Sequence, residues 1–163
     1  MLLALLVAAT VRGPADVESL TAAADVVVHA RVAASASAWA PGGHKIVTRV
    51  TLRTIDAWKG DPAAELTVLV PGGEVGDIAQ TVQGVAVFRP DEEVVVFLHR
   101  VSSSTFAVER LALGKFAVGD ATGPQKRAIR DRRGLQCVGC GPDEADELPL
   151  DDLRERVVGR ARR

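Results

Sequence analysis

Hydrophobic and polar residues alternate with a period of two along several short stretches of this chain, which is the pattern of strands that bury one face. The run Val94–Leu98 is apolar at every position and predicts a central strand buried on both faces. Val85–Phe88 fits either a short strand or the approach to a turn at Arg89–Asp91. The alternating stretches are Val26–Val32, Ile46–Trp58, Leu66–Val70, Phe106–Val108 and Lys115–Val118.

The stretch Ile46–Trp58 is the longest predicted strand, and its hydrophobic phase changes along its length. Val50 and Leu52 share one phase, whereas Ile55 lies in the opposite phase. A phase change inside one strand predicts a bulge or sharp bend near Thr54, as found where strands pass around the corner of a barrel.

Two stretches show the 3.6-residue period of helices instead. A short helix is predicted from Val17 to Ala24, with Asp16 as its capping residue. A second helix is predicted from Pro149 to Arg163, with acidic residues in its first turn. Between the strands, Pro-Gly-Gly triplets mark turns, and Glu74–Gly84 carries few core residues and predicts a long loop.

Several short strands separated by frequent turn signals indicate a mostly β protein. We predict a small OB-like β-barrel of five to seven strands, with a short N-terminal helix and a C-terminal helix. The barrel domain is expected to span residues 14–120. Residues 121–163 are predicted to form a basic and acidic tail with a CxxC loop and the C-terminal helix.

The first eleven residues are apolar or small and match the apolar region of a secretory signal peptide. Ala8 and Ala9 suit a cleavage site, so residues 1–13 are assigned to a signal peptide and the protein to a periplasmic or secreted location. The basic residues that usually precede such a region are missing, and a buried N-terminal strand or helix is the alternative. The stretch is too short to span a bilayer as a helix.

Charge and aromatic content argue against a nucleic-acid partner. The net charge is −1, and the chain has four Phe, two Trp and no Tyr. The basic run Lys126–Arg133 is interpreted as a solvated tail, and the apolar phases of the Phe residues place them in the core.

Cys137 and Cys140 form a CxxC motif with three possible roles. One pair supplies only two of the four ligands of a zinc site, and no helix follows it to activate a redox thiol. A local disulfide in an oxidising compartment is the preferred interpretation, with metal binding and redox chemistry as alternatives. No metal ion or other cofactor is predicted.

The candidate binding residues surround the second Pro-Gly-Gly triplet. This loop lacks the motifs of phosphate-binding and dinucleotide-binding loops, so a solvated turn is the simplest interpretation and a binding edge the alternative. No nucleophile and base are paired in the sequence, so we do not expect an enzyme. The candidates are Trp39, Gly72, Gly73, Glu74, Asp77 and Gln80.

Residues 19–98 resemble a group of uncharacterised exported bacterial proteins. The shared segments are Ala24–Val28, Val47–Leu52, Trp58–Asp61, Val70–Gly76, Gln80–Gly84 and Phe88–Leu98, with a looser continuation to Phe116. The resemblance implies an OB-type barrel, similar in outline to the inhibitor domain of tissue inhibitors of metalloproteinases. Those inhibitors depend on an N-terminal cysteine and several disulfides, which this chain lacks.

Together these observations predict a non-catalytic exported domain that binds or scaffolds, with a protein outside the cytoplasm as the expected partner. A CxxC-dependent metal or thiol protein is the first alternative. An inhibitor of an extracellular protease is the second, and it depends on fold analogy alone.

Overall fold

The computed structural model describes residues 9–120, 123–140 and 146–162. Two α-helices and twelve strands lie in these ranges. The helices are α1 (Val17–Ala23) and α2 (Leu150–Ala161). The strands are β1 (Ala9–Arg12), β2 (Val26–Trp39), β3 (Ile46–Lys59), β4 (Glu65–Pro71), β5 (Gly73–Val75), β6 (Ile78–Gln80), β7 (Glu93–Arg100), β8 (Thr105–Val108), β9 (Lys115–Asp120), β10 (Lys126–Arg130), β11 (Leu135–Val138) and β12 (Glu147–Pro149).

Five strands close into a barrel in the order β2, β3, β4, β8, β7 and back to β2. The pair β4–β8 is parallel, with Val68 opposite Phe106, and the other pairs are antiparallel. This closed five-stranded barrel with flanking helices confirms the predicted fold class.

Alternate residues of the barrel strands fill its interior, as the period-two pattern predicted. Val28 and Val96 point inwards, while Val27 and Phe97 on the same strands point outwards into a second apolar cluster. The strand β7 is therefore buried on both faces, as its continuous apolar sequence indicates. The interior residues are Val26, Val28, Ala30, Val32, Val50, Leu52, Leu66, Val68, Val70, Val94, Val96, Leu98 and Phe106.

The second cluster lies outside the barrel, between its sheet and the two helices. Leu20 of α1 and Leu153 and Val157 of α2 are fully buried there against Phe97 and Phe116. Asp16 caps α1 by accepting a 2.7 Å hydrogen bond from the Ser19 main-chain N–H, as predicted. Both predicted helices are confirmed, and each turns its apolar side towards the barrel.

The strands β9, β10 and β12 extend the barrel's sheet beyond β7. Ala128 of β10 and Leu148 of β12 belong to the same buried cluster as α1 and α2. The C-terminal region that the sequence assigned to a tail contains three strands and a helix, of which β10, β12 and α2 join this sheet and its buried cluster. The sequence did not predict the strand β10, because Lys126–Arg130 is mostly charged and Ala128 is its only buried apolar residue.

The predicted bulge in β3 is present beside Thr54. Thr54 lies opposite Ala30 and Asp56 lies opposite His29, so Ile55 has no partner on β2. As a result, Leu52 faces the barrel interior, while Trp58 packs outside it with the helices. Ile55 itself is exposed.

One local prediction between β4 and β7 needs correction. The segment Glu74–Gly84, expected to be a loop, contains the hairpin β5–β6, in which Gly73 lies opposite Gln80. Of the two interpretations of Val85–Phe88, the structure has the approach to a turn, since no strand of the described chain pairs with this segment.

The strand β1 pairs in parallel with β11, so that Val11 lies opposite Cys137. Val11 is buried with Ala15 and Leu113 in a third, small apolar cluster. The other residues of the predicted signal peptide, 1–8, lie outside the described residues. Within the described chain, no helix is long and apolar enough to cross a membrane.

Candidate functional site

The inner face of the β2–β3 ribbon continues beyond the rim of the barrel and forms one wall of an open cavity. Ser35 and Val50 lie opposite each other on this face, next to the end of β4. The cavity has a volume of about 450 Å³ and sits at the barrel mouth, so we call it the mouth cavity. Its lining residues are Ser35, Thr48, Val50, Val70–Glu74, Ala79–Val82 and Val85–Phe88.

Gly72 and Gly73 hold the β5–β6 hairpin against the ribbon. Gly72 has φ +92°, and a Cβ atom there would lie 2.6 Å from the Gln80 carbonyl oxygen. Gly73 has φ +136°, and its Cβ would overlap the hydroxyl groups of Ser37 and Thr48. Only glycine combines this backbone conformation with so close an approach.

A short hydrogen-bond chain lies beneath the two glycines. The Thr48 hydroxyl donates to the Gly72 carbonyl at 2.7 Å. Because that uses its only proton, the Ser37 hydroxyl must donate to Thr48 across 2.8 Å. The Gln80 side-chain oxygen accepts from the Ile46 main-chain N–H at 2.7 Å. These bonds fix the hairpin to β2 and β3 and make the mouth cavity a preformed feature.

Four of the six predicted binding residues line the mouth cavity, namely Gly72, Gly73, Glu74 and Gln80. Asp77 lies between β5 and β6, away from the cavity lining. Trp39 is at the far end of β2, opposite Ile46, and is also outside the lining. The side chain of Glu74 is the only charged group that lines the cavity among the described residues.

The segment Val85–Phe88 forms the floor of the mouth cavity, and sequence reasoning did not identify it as part of the site. Val85 and Phe88 pack against the barrel interior, whereas Val87 is exposed. The available signal was the short apolar run between a glycine and a Pro-containing turn. An apolar run of this length does not distinguish a strand that pairs with another strand from an unpaired segment that lines a cavity.

A second, smaller cavity of about 340 Å³ lies on the other side of this segment. Lys115 borders it and donates to the Val87 carbonyl at 2.6 Å and to both Glu92 carboxylate oxygens at 2.9 Å. Burial lowers the pKa of Lys115, and the Glu92 carboxylate partly opposes this shift. The Lys115 ammonium is therefore saturated by protein acceptors.

Cys137 and Cys140 form a disulfide, with their Cα atoms 5.7 Å apart. Both residues pack against the apolar cluster of Val11 and Leu113, beside the Gly13 carbonyl. In the described ranges, no group of three or more metal-ligating side chains comes together. The bonded pair matches the preferred interpretation of the CxxC motif.

Two of the three histidines lie beside carboxylates. His29 Nε2 lies 2.6 Å from Glu93 Oε1, and His99 Nδ1 lies 3.1 Å from Glu109 Oε2. In the part of the chain that the structure describes, no hydrogen bond joins a histidine to a hydroxyl or thiol. These contacts supply no activated nucleophile.

The basic residues of Lys126–Arg133 are paired with neighbouring carboxylates and carbonyls, and Lys126 and Arg133 are exposed to solvent as well. Lys126 bonds to Glu93, and Arg133 bonds to Asp131 through two parallel contacts. This bond to Arg133 lowers the pKa of Asp131 to about 2. Arg127 contacts Glu147, Arg132 contacts Asp146, and Arg130 donates to the Ala15 and Leu113 carbonyls and lies 3.4 Å from Asp146.

Most of the aromatic side chains are buried. Trp58, Phe97, Phe106 and Phe116 are buried, and Phe88 is partly buried against the barrel interior. Trp39 alone among the six aromatic residues is largely exposed. Single-stranded nucleic acids are usually bound by several exposed aromatic groups beside a basic groove, and this arrangement differs from that.

No family model matches the sequence, and no curated protein sequence is detectably similar to it.

Proposed function

We propose that this chain is an exported, non-catalytic binding domain whose ligand occupies the mouth cavity. The observation that carries the proposal is the cavity itself: about 450 Å³, preformed by hydrogen bonds, and located at the mouth of a closed barrel. Cavities of this size at barrel mouths are common ligand sites. Its floor is apolar, and its rim carries hydroxyl groups, a carboxylate and an amide.

The rim chemistry favours binding over catalysis. The Thr48 hydroxyl at the rim is engaged in hydrogen bonds with Gly72 and Ser37, and neither histidine–carboxylate pair lines the cavity. The amide nitrogen of Gln80 has no partner within the described residues, so it can donate to a ligand.

A pair of variants on adjacent residues of β2 tests the site. Ser35→Phe places an aromatic ring in the mouth cavity, whereas Ala36→Phe places the same ring on the opposite, exposed face of the strand. Protein purified from the host's extracytoplasmic fraction is examined by native mass spectrometry. We expect wild type and Ala36→Phe to retain a bound ligand that Ser35→Phe has lost. The same profile in all three proteins, whether occupied or empty, would overturn the proposal.

Export is the second part of the proposal, and it is supported by the apolar leader with its two small residues. Cleavage after Ala8 would leave Ala9 as the first residue of β1, with its N–H still able to donate to the Gly134 carbonyl. Intact-mass analysis of secreted material is expected to show a chain that has lost the leader. A full-length chain confined to the cytoplasm would contradict export.

A further inference from the structure

The main chain of Val85–Phe88 has almost no hydrogen-bond partners. Among the described residues, only the Lys115 ammonium bonds to it, at the Val87 carbonyl. The other N–H and C=O groups of this segment form no hydrogen bond with any residue that the structure describes. Unpaired main-chain groups in a row are what an edge strand offers to another chain.

Ala86 makes this arrangement unusual. It is only 4% exposed, yet neither its N–H nor its C=O has a partner within residues 9–120, 123–140 and 146–162. Nearly all buried main-chain groups in folded proteins are paired, because an unpaired one costs about 1–3 kcal/mol. Ala86 lies at the floor of the mouth cavity, where a bound ligand can reach these unpaired groups and supply the missing bonds.

The opposite wall of the mouth cavity is formed by four consecutive residues, Ala79–Val82, of which the first two belong to β6. The strand β6 pairs with β5 on one side, and no strand of the described chain pairs with its other side. The cavity thus lies between two segments with unpaired main-chain groups.

We propose that the ligand of the mouth cavity is an extended peptide segment of a protein partner, bound by main-chain hydrogen bonds to Val85–Phe88. This inference rests on the proposed function of the cavity as a binding site. Strand addition of this kind gives affinity through the main chain and specificity through alternate side chains. Four residues of extended chain span roughly 13 Å, enough for two alternating pairs of bonds. Glu74, the charged group at the rim, favours a peptide with a Lys or Arg facing it.

Selection from a random heptapeptide library displayed on phage tests the ligand class. Wild type, Ser35→Phe and Ala36→Phe are screened in parallel. We expect a shared set of peptides on wild type and Ala36→Phe that is absent on Ser35→Phe. The enriched peptides are then synthesised with and without N-methyl groups on alternate residues. Methylation in one of the two registers is expected to weaken binding at least tenfold, because it removes the N–H groups that face Val85–Phe88.

Hydrogen exchange of the Val85–Phe88 amides gives an independent readout. These amides are expected to exchange rapidly in the free protein and at least tenfold more slowly with a selected peptide bound.

The outcomes separate the two proposals. If no peptide is selected but native mass spectrometry finds a small molecule that Ser35→Phe excludes, the peptide inference fails and the binding function stands. If peptides bind but N-methylation in both registers leaves affinity unchanged, the main-chain mode is wrong. If nothing distinguishes Ser35→Phe from Ala36→Phe in either assay, both proposals fail.

Discussion

The Lys115 ammonium lies 2.9 Å from both carboxylate oxygens of Glu92, and the two side chains are only 10% and 11% exposed. The same ammonium holds the Val87 carbonyl at 2.6 Å. This pair therefore connects β9 to the unpaired floor of the mouth cavity. Its position explains why a lysine is tolerated inside the fold, where burial alone lowers its pKa.

Removing one member of this pair should be costly. Lys115→Met leaves the Glu92 carboxylate buried without its partner, and we expect a loss of about 3 kcal/mol in the free energy of unfolding at pH 7. Urea denaturation measures it. The double variant Lys115→Met/Glu92→Leu removes both charges and is expected to recover most of the loss. A single variant as stable as wild type would show that the pair is not coupled.

Two glycines of the same hairpin should differ in their tolerance of alanine. Gly73→Ala forces a Cβ into the Ser37 and Thr48 hydroxyls, so we expect a loss of about 3 kcal/mol or more. Gly76 has φ +59° and open space around its Cβ, so Gly76→Ala is expected to cost only about 1 kcal/mol. Thermal unfolding of both variants checks the difference. Equal losses would mean that the close approach at Gly73 relaxes without cost.

These glycines also show what the sequence could and could not predict. The Pro-Gly-Gly triplet identified a turn, since proline and glycine fix local backbone geometry. It gave no sign that Gly73 packs against Ser37, which is distant in sequence. Contacts of this kind depend on the closure of the barrel, so four of the six predicted binding residues were brought together while Asp77 and Trp39 were not.

The barrel itself was predictable because each of its main strands carries its own pattern. Val94–Leu98 is apolar throughout, and the phase change near Thr54 gave the bulge. The strand β10 was not predictable in this way, because its buried residues include a charged one. Arg130 is buried and donates to the Ala15 carbonyl, which is distant in sequence. Contacts that charged side chains make with residues distant in sequence produce no periodic hydrophobic pattern, so the sequence alone does not indicate such a strand.

Glu93 should make stability depend on acidity. Burial on its own raises the pKa of Glu93, but hydrogen bonds from Lys126 and His29, and their charges, outweigh it and lower the pKa below 4.5. Arg31 also contacts this carboxylate, at 3.2 Å. A carboxylate with a lowered pKa stabilises the fold fully above its unfolded value, near 4.3, and loses that contribution as the pH falls through its folded value.

The variant Glu93→Gln tests this dependence. At pH 7 we expect it to cost about 2 kcal/mol, since it removes the charge from several charge-assisted hydrogen bonds. The difference from wild type should shrink steadily below about pH 4, where the wild-type carboxylate takes up a proton. Urea titrations at a series of pH values measure both. A cost that stays constant from pH 7 to pH 3 would contradict the role of the charge.

The Cys137–Cys140 disulfide should stabilise the pairing of β1 with β11 and leave the barrel unaffected. It closes a very short loop, for which the chain-entropy relation gives about 2 kcal/mol. Cys137→Ser/Cys140→Ser is expected to accelerate amide exchange in Ala9–Arg12 and Leu135–Val138, with β2 and β7 unchanged, because they belong to different buried clusters. Thiol titration of the denatured, unreduced protein should find no free thiol. Two free thiols, or bound zinc released on denaturation, would instead favour the thiol or metal chemistry that a CxxC motif can also support.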